Sequence, residues 1–158
     1  MKILLVNPKI AGGFPFIPIG LMSIAAYLRK HGITARIVDD NLEFLTQEKL
    51  ATLLDSYQPN IVGIGGMSVQ RNRALQLGEE LRNIKPNLKI VYGGVHFTFV
   101  PEDGLKHGDL CVIGEGEETI LEICQEHKHP KGVAYKENNT VMFTEERPLI
   151  SNLDVIPF

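Results

Sequence analysis

The chain has 158 residues, of which 44% are apolar and 22% charged, and its formal net charge is -3. Such a composition is ordinary for a globular protein, and a chain of this length forms one domain that buries roughly 70% of its unfolded surface. It therefore needs no disulfide or structural metal to hold a core. The slightly negative charge gives no electrostatic footprint for nucleic acid, which we do not expect as a partner.

The cysteines and the N-terminus indicate a cytoplasmic protein. Cys111 and Cys124 have apolar neighbours and no metal-ligand spacing, so we expect reduced core residues. The first apolar run covers only residues 3–6 before Asn7-Pro8 stops it. That run is too short for a signal peptide or a membrane span, and we expect neither.

Three strand-and-helix units are predicted in the first half of the chain. Continuous apolar runs typical of buried strands alternate with apolar residues at helical spacing, such as Leu21, Ile24 and Leu28. The predicted strands are 3–6, 34–38 and 61–64. The predicted helices are 19–31, 47–57 with Thr46 as N-cap, and 69–84.

The second half continues this alternation and then changes character. Strands are predicted at 88–92 and 110–113, and helices at 101–107, after a new helical pattern begins near Val100, and at 117–127. Glu137-Asn138-Asn139 is a turn signal between two short strands, 133–136 and 140–144. Residues 146–158 have no periodicity, and we expect a linker toward a further domain.

Five strand-then-helix units predict an α/β fold, doubly wound in the Rossmann-like or flavodoxin-like manner. We expect a five-stranded parallel sheet with helices on both faces, and a small C-terminal β-hairpin as an edge outside that core. The expected domain covers residues 1–145, hairpin included, and the linker covers 146–158.

Glycines cluster where the predicted strands end. The segments are Gly12-Gly13 in a long loop after strand one, Gly65-Gly66, Gly93-Gly94, and Gly114 with Gly116. In open α/β sheets, ligands bind outside the carboxyl ends of the strands, where strand order reverses. Glycines there let main chain approach a ligand closely, which suggests a broad, flat ligand. Plain strand-to-helix turns are the alternative.

Common ligands and catalytic groups fit this edge poorly. The loop after strand one lacks Gly-x-Gly-x-x-Gly, a Walker loop or a Ser/Thr phosphate loop, and the acids of Gly114-Glu-Gly-Glu-Glu-Thr119 would repel phosphate. Asp39-Asp40 is either a ligand-binding pair or a solvated turn. His96 is either functional or a loop histidine bonded to backbone. We predict no catalytic residue and no metal ligand in this chain, since neither His127-x-His129 nor Cys124 has a metal-site spacing and no Cys-x-x-x-Cys-x-x-Cys occurs.

The chain resembles the N-terminal cobalamin-binding domain of the cobalamin-dependent radical S-adenosylmethionine enzymes. Segments along the whole chain carry the resemblance: Lys2-Ile-Leu-Leu-Val-Asn-Pro8, Ile19-Gly-Leu-Met-Ser-Ile-Ala-Ala-Tyr-Leu-Arg-Lys-His-Gly32, Ile61-Val-Gly-Ile64, Val91-Tyr-Gly-Gly-Val-His96, Val112-Ile-Gly-Glu-Gly-Glu-Glu-Thr119, Gly132-Val-Ala-Tyr135, and Arg147-Pro-Leu-Ile150 with Leu153-Asp154 and Ile156-Pro-Phe158. In that family a radical S-adenosylmethionine domain follows such a tail. The resemblance implies cobalamin (methylcobalamin or hydroxocobalamin) as cofactor here. It implies S-adenosylmethionine and a 4Fe-4S cluster only in the C-terminal domain, and a methyltransferase or related enzyme as the parent protein.

One departure from related cobalamin domains concerns the cobalt ligand. Domains of the methionine synthase and mutase type carry Asp-x-His-x-x-Gly after strand one, and their His ligates cobalt. Here the same spacing is Asn7-Pro-Lys9-Ile-Ala-Gly12, and an ammonium group has no free lone pair for cobalt. Their Ser-x-Leu serine falls at Gly65, although Ser68 is near. The resemblance therefore implies a corrinoid held base-off without a protein His.

We expect the nucleotide tail of the cofactor in a crevice between strands one and four, with Ser68 or Gln70 donating hydrogen bonds and His96 with Thr98 lining the corrin face or edge. The cofactor-binding residues implied are Asn7, Lys9, Gly12, Gly65, Gly66, Ser68, Gln70, Gly93, Gly94, His96, Thr98, Gly114 and Gly116. A Gly94→Val variant is expected to abolish binding and keep the fold. The alternatives are a scaffold domain that has lost cobalamin, or a nucleotide- or flavin-binding domain.

Overall fold

The computed structural model of the protein describes residues 1–13 and 16–157. Its strands are β1 (Lys2–Asn7), β2 (Thr34–Asp39), β3 (Ile61–Gly65), β4 (Lys89–Gly93), β5 (Leu110–Val112), β6 (Val133–Glu137) and β7 (Thr140–Phe143). Its helices are α1 (Ile19–Lys30), α2 (Asp40–Glu43), α3 (Gln47–Tyr57), α4 (Arg71–Ile84), α5 (Val95–Phe99), α6 (Pro101–Gly104) and α7 (Glu117–Cys124), with 3₁₀ turns at Ser68–Gln70 and Leu153–Val155.

The strand order is β2-β1-β3-β4-β5-β6-β7, and β1 to β5 run parallel. Chain order reverses between β1 and β3, because β1 pairs with β2 on one side and β3 on the other. The expected crevice between strands one and four is therefore wrong in one respect: β3 lies between those two strands. The reversal point is at the β1 and β3 ends.

The sheet has seven strands and not five, because the C-terminal hairpin belongs to it. β6 pairs antiparallel with β5, with Val112 opposite Val133, and β7 pairs with β6. The hairpin turn has positive φ at Asn138 (49°) and Asn139 (63°), the backbone that a two-residue turn of matching twist requires. The hairpin, predicted as an edge outside the core, therefore extends the same sheet with two antiparallel strands.

Helices cover both faces of the sheet and enclose two apolar layers. Side chains of α3 and α4, such as Leu50 and Leu77, pack on one face with Ile90 and Tyr92. Side chains of α1 and α7, such as Leu28 and Ile123, pack on the other with Ile3 and Val91. Alternate residues of each strand point to opposite faces, so every parallel strand supplies both layers.

Both cysteines are core residues. Burial raises the pKa of the Cys111 thiol to about 12 and that of the Cys124 thiol to about 11. A thiol with so high a pKa stays protonated at neutral pH, which makes it a poor nucleophile and metal ligand.

Three helix predictions differ from the structure. A helical turn, α5, begins at Val95 directly after Gly94, not near Val100, because Gly94 at φ 90° reverses the chain at once. The helix predicted over 101–107 ends at Gly104, and the one predicted over 117–127 ends at Cys124. The short α2 was not predicted; Asp39 caps it by accepting from Asn41 N at 2.9 Å.

The described part of the C-terminal segment lies against the helices of one face. Arg147 donates to Glu118 at 3.0 Å, to Glu122 at 2.5 Å and to Thr119 Oγ1 at 2.8 Å, all on α7. Further along, Val155 O accepts from Lys30 Nζ at the end of α1, at 2.9 Å. That residues 146–158 link to another domain stays a prediction, and Phe158 is outside the described residues. In the described part of the chain, no helix is long and apolar enough to cross a membrane.

Candidate functional site

A cleft of about 620 Å³ opens at the carboxyl edge of the sheet, across the ends of β1, β3, β4 and β5. Helices α1 and α7 form its walls. Its volume is in the range of small-molecule sites, and such clefts at the reversal point of an α/β sheet are where ligands bind.

The central strands carry glycines on the face of the sheet that forms the floor of the cleft. Gly63 and Gly65 are two residues apart on β3, so they face the same side, and Gly93 is paired with Gly65 on β4. A Cβ at Gly65 would approach Leu21 of α1 to 3.0 Å, and one at Gly63 would approach Leu5 to 2.8 Å. Leu5 and Leu21 therefore pack directly on the backbone of these two glycines, where no other side chain fits.

Two glycines hold the rim of β3 against that of β4 through their backbones. The N–H of Gly66 donates to Gly93 O at 3.0 Å, and Gly66 O accepts from the N–H of His96 at 3.2 Å. A Cβ at Gly94 would lie 2.8 Å from Gly66 O, and Gly94 has φ 90°. The expectation that Gly94→Val keeps the fold is therefore wrong, since any side chain there strains the backbone and collides with the neighbouring loop.

A chain of amide groups connects the end of β1 to the loop after β3. Gln70, 4% exposed, accepts from the N–H of Met67 with Oε1 at 3.0 Å. Its Nε2 donates to Pro8 O at 2.6 Å and to Asn7 Oδ1 at 2.9 Å. Backbone groups at both ends fix the orientation of the Gln70 amide, and hence that of Asn7. Gln70 thus joins two walls of the cleft.

His96 lies in a buried polar network beside the cleft. Its Nδ1 is 3.2 Å from Ser68 Oγ, and its Nε2 is 3.2 Å from Asp103 Oδ2. Asp103 also accepts from Arg71 and, at 2.6 Å, from Lys106. The Arg71 hydrogen bond holds the pKa of the Asp103 carboxyl well below its usual range; Lys106 and His96 act in the same direction, while burial opposes them.

Lys9 projects away from the cleft, with its Nζ 4.6 Å from the centre of the Phe44 ring. Its backbone N–H donates to Asp40 Oδ2 at 3.2 Å. Asp40 is buried and paired with Arg73 at 2.6 Å, so neither the solvated-turn nor the ligand-binding interpretation fits this carboxylate. The pair fixes the loop after β1 to α4.

Acidic residues at the mouth of the cleft bond to neighbouring elements. Glu117 accepts from Ser23 Oγ of α1 at 2.6 Å, and Glu115 accepts from the N–H of Ile150 in the C-terminal segment at 2.7 Å. Thr98 Oγ1 accepts from the N–H of Gly114 at 3.2 Å, which connects α5 to the end of β5. Hydrogen bonds between segments that are far apart in the sequence therefore hold the mouth of the cleft together.

Eight of the thirteen predicted site residues line the cleft together: Asn7, Gly65, Gly66, Gln70, Gly93, Gly94, Gly114 and Gly116. The other five are outside the described lining: Lys9, Gly12, Ser68, His96 and Thr98. Sequence analysis missed several lining residues, above all Gly63 and the apolar Leu21, Ile24 and Ile120. The two-residue spacing of Gly63 and Gly65 was the available signal. Among the described residues, no group of three His, Cys, Asp or Glu could hold a metal ion.

Residues 10–124 match the sequence model of the B12 binding domain. The chain is 35% identical over 173 aligned positions to the "uncharacterized methyltransferase PH0819" of Pyrococcus horikoshii, covering 99% of this chain and 37% of that protein. It is 27% identical to the anaerobic magnesium-protoporphyrin IX monomethyl ester cyclase of Cereibacter sphaeroides, covering 99% of this chain and 28% of that protein. The chain thus spans about a third of the length of these relatives.

Solved structures share the fold. The cobalamin-dependent S-adenosylmethionine radical enzyme OxsB, with aqua-cobalamin and S-adenosylmethionine bound, superposes with a TM-score of 0.80 at 22% identity, covering 99% of this chain and 23% of that one. The radical S-adenosylmethionine methyltransferase TsrM of Kitasatospora setae, with cobalamin and a [4Fe-4S] cluster bound, gives 0.72 at 19% identity, covering 96% and 30%.

Proposed function

The chain belongs to the B12-binding domain family, and from this premise we propose that its cleft holds cobalamin for a radical S-adenosylmethionine enzyme. The observation that carries the proposal is the hollow, apolar cleft on the glycine face of the sheet. Apolar side chains line its interior, among them Leu5, Leu21, Ile24, Val91, Val112 and Ile120. A flat benzimidazole base fits such a surface, because glycines give it main-chain contact and apolar residues remove it from water.

We further propose that the cofactor is held base-off without a protein imidazole. Lys9, at the position of the ligating His in related domains, lies against Phe44. Both ring nitrogens of His96 are engaged by Ser68 and Asp103. Among the described residues that line the cleft there is no His or Cys. None of the described lining residues is a Lys or Arg. The phosphodiester of the nucleotide would therefore stay near solvent at the mouth.

When bound, methylcobalamin would supply methyl-transfer chemistry, and the protein would supply its binding and orientation. The relatives are about three times as long as this chain. We therefore propose that S-adenosylmethionine and the 4Fe-4S cluster belong to a C-terminal radical domain of the parent protein, with methyl transfer or a related rearrangement as its reaction.

Corrinoid retention tests the proposal. The purified chain is mixed with hydroxocobalamin, desalted, and its visible spectrum recorded; retention of about one corrinoid per chain is expected. Reduction to the cobalt(II) form then allows paramagnetic resonance, in which an axial nitrogen splits each line into three. Unsplit lines are expected. Split lines that disappear in His96→Ala would overturn the ligand-free account. No retention, also in a longer chain that includes the following domain, would favour the scaffold alternative.

A further inference from the structure

We propose that Asn7 makes the cleft selective for the lower base of the corrinoid, admitting a benzimidazole and discriminating against adenine. This inference rests on the proposed function, because it concerns the same cleft. Asn7 would donate a hydrogen bond to the base. The apolar floor of the cleft would disfavour a base that carries additional polar groups.

The orientation of the Asn7 amide is determined by its neighbours. The Met67 N–H requires an oxygen at Gln70 Oε1, and Pro8 O requires a nitrogen at Gln70 Nε2. Gln70 Nε2 also donates to Asn7 Oδ1 at 2.9 Å, so the other atom of that amide is Nδ2. No exchange of oxygen and nitrogen in either amide satisfies all these contacts.

Asn7 Nδ2 is a hydrogen-bond donor at the cleft that has no partner in the described part of the chain. Asn7 is 8% exposed, lines the cleft at the end of β1, and its Nδ2 has no hydrogen-bond acceptor among residues 1–13 and 16–157. A ligand that fills the cleft covers this donor, and covering an amide donor without giving it an acceptor is costly, so a ligand that brings an acceptor is favoured there. In the base-off form, the imine nitrogen of a benzimidazole has left cobalt and carries a free lone pair. It is the acceptor that Asn7 lacks.

The remainder of the cleft interior offers little to a polar base. Among the described residues, its floor and walls are mainly glycines and apolar side chains such as Leu5, Val91 and Val112. Glu115 and Glu117 are at the mouth, after the end of β5, and bond to Ile150 and Ser23. Adenine carries an exocyclic amine and additional ring nitrogens, which would lose water there without gaining partners. We therefore expect adenine to bind about tenfold more weakly, or worse.

Three corrinoids with different lower bases distinguish the contribution of the Asn7 donor from that of the apolar floor. Cobalamin has a benzimidazole with one acceptor nitrogen, adeninylcobamide has a polar base, and p-cresolylcobamide has an apolar base without a ring nitrogen. Dissociation constants of each are measured with the 158-residue chain by equilibrium dialysis. We expect cobalamin to bind most tightly and adeninylcobamide at least about tenfold less tightly.

The Asn7→Asp variant tests the donor. It keeps the acceptor for Gln70 and replaces Nδ2 by an oxygen that repels the imine lone pair. We expect cobalamin affinity to fall by about tenfold or more, while p-cresolylcobamide affinity changes by less than about threefold. Asn60→Asp is the matched control at the opposite edge of the sheet, where Asn60 accepts from the Lys2 N–H, and it should change neither affinity.

Each outcome decides the inference. Equal affinity for cobalamin and adeninylcobamide overturns the selectivity with the proposed function intact. An equal loss of cobalamin and p-cresolylcobamide affinity in Asn7→Asp assigns Asn7 a structural role and overturns its role as donor. If neither the 158-residue chain nor the longer chain that includes the following domain binds any of the three, the proposed function fails, and this inference fails with it.

Discussion

Adjacent glycines in this protein have opposite requirements. Gly93 faces the cleft, where an added Cβ would lie 3.5 Å from Val112 Cβ, an ordinary contact. Gly94 has φ 90°, and its Cβ would collide with the backbone of Gly66. Gly93 is therefore free to accept a side chain at the expense of the cleft, whereas Gly94 is needed for the turn itself.

This difference predicts a pair of opposite phenotypes. Gly93→Leu should keep its urea midpoint nearly unchanged but weaken cobalamin binding by about ten- to a hundredfold, because the side chain fills the cleft. Gly94→Ala should lower the free energy of unfolding by about 2 kcal/mol or more through strain and collision. Urea titration and equilibrium dialysis on both variants check this. Equal destabilisation of the two would contradict it.

A pH-dependent contribution to stability is expected from Asp103. Its pKa in the folded protein is lowered, with the Arg71 hydrogen bond as the largest cause. The contribution is therefore fully present above the unfolded-state pKa of about 3.9 and is lost as pH falls below that value toward the folded pKa. Asp103→Asn should thus be less stable than wild type by about 1–3 kcal/mol at neutral pH, and the difference should shrink in acid.

Urea midpoints of wild type and Asp103→Asn, measured from neutral pH down to about pH 2.5, check this linkage. The exposed Asp55 provides the control, since Asp55→Asn should follow wild type at every pH. If the difference in stability between wild type and Asp103→Asn stays constant through the acid range, the ionised Asp103 carboxylate is not its cause.

Among the elements, the C-terminal segment depends most on one side chain. The side chain of Arg147 is 9% exposed, and its guanidinium group donates hydrogen bonds to residues 118, 119 and 122 of α7. Further along the segment, the Ile150 N–H donates to Glu115 at the mouth of the cleft. A change at Arg147 therefore reaches the cleft through the segment and not through the sheet.

Arg147→Met should lower the free energy of unfolding by about 1–2 kcal/mol and speed protease cleavage within residues 145–152. Lys131→Met is the matched control. It removes an exposed pair with Glu145 (2.8 Å, 50% and 72% exposed) and should cost about 0.5 kcal/mol or less. Limited proteolysis followed by mass spectrometry, with urea titration, measures both. Equal cleavage rates in the two variants would disprove the anchoring role.

The local sequence pattern predicted most helices and strands correctly, but it could not predict which strands pair over long distances in the chain. Apolar runs and helical spacing predicted β1 to β5 and the main helices, since these periodicities are properties of short segments. The Asn138-Asn139 signal predicted the hairpin but not its pairing with β5, which depends on an edge left open by distant residues. Likewise, Gly65 and Gly93 were predicted at the site, whereas the burial of His96 depends on Asp103 and Arg71, which no local pattern connects to it.

At the scale of the whole molecule, cobalamin should stabilise the fold, because the cleft contacts strands and helices from both halves of the chain. At a free concentration one hundred times the dissociation constant, the gain is about 2.7 kcal/mol. For a domain of this size that corresponds to an increase in Tm of about 5–10 °C. Differential scanning calorimetry with and without hydroxocobalamin measures it. Gly93→Leu should show about half that increase or less, because binding that is ten- to a hundredfold weaker leaves a gain of about 0.4–1.4 kcal/mol at the same concentration. A shift of equal size there would contradict binding in this cleft.

Met1 and Val155 lie at the same edge of the sheet, opposite the cleft. Met1 O accepts from the Thr34 N–H at the start of β2, and Val155 is beside Lys30 at the end of α1. The six residues of β1 span roughly 20 Å between that edge and the cleft. A fluorescent dye coupled to the α-amino group of Met1 would thus be within energy-transfer distance of a corrin in the cleft without obstructing its entry. Because corrins absorb visible light, the emission of the dye would report each binding event optically.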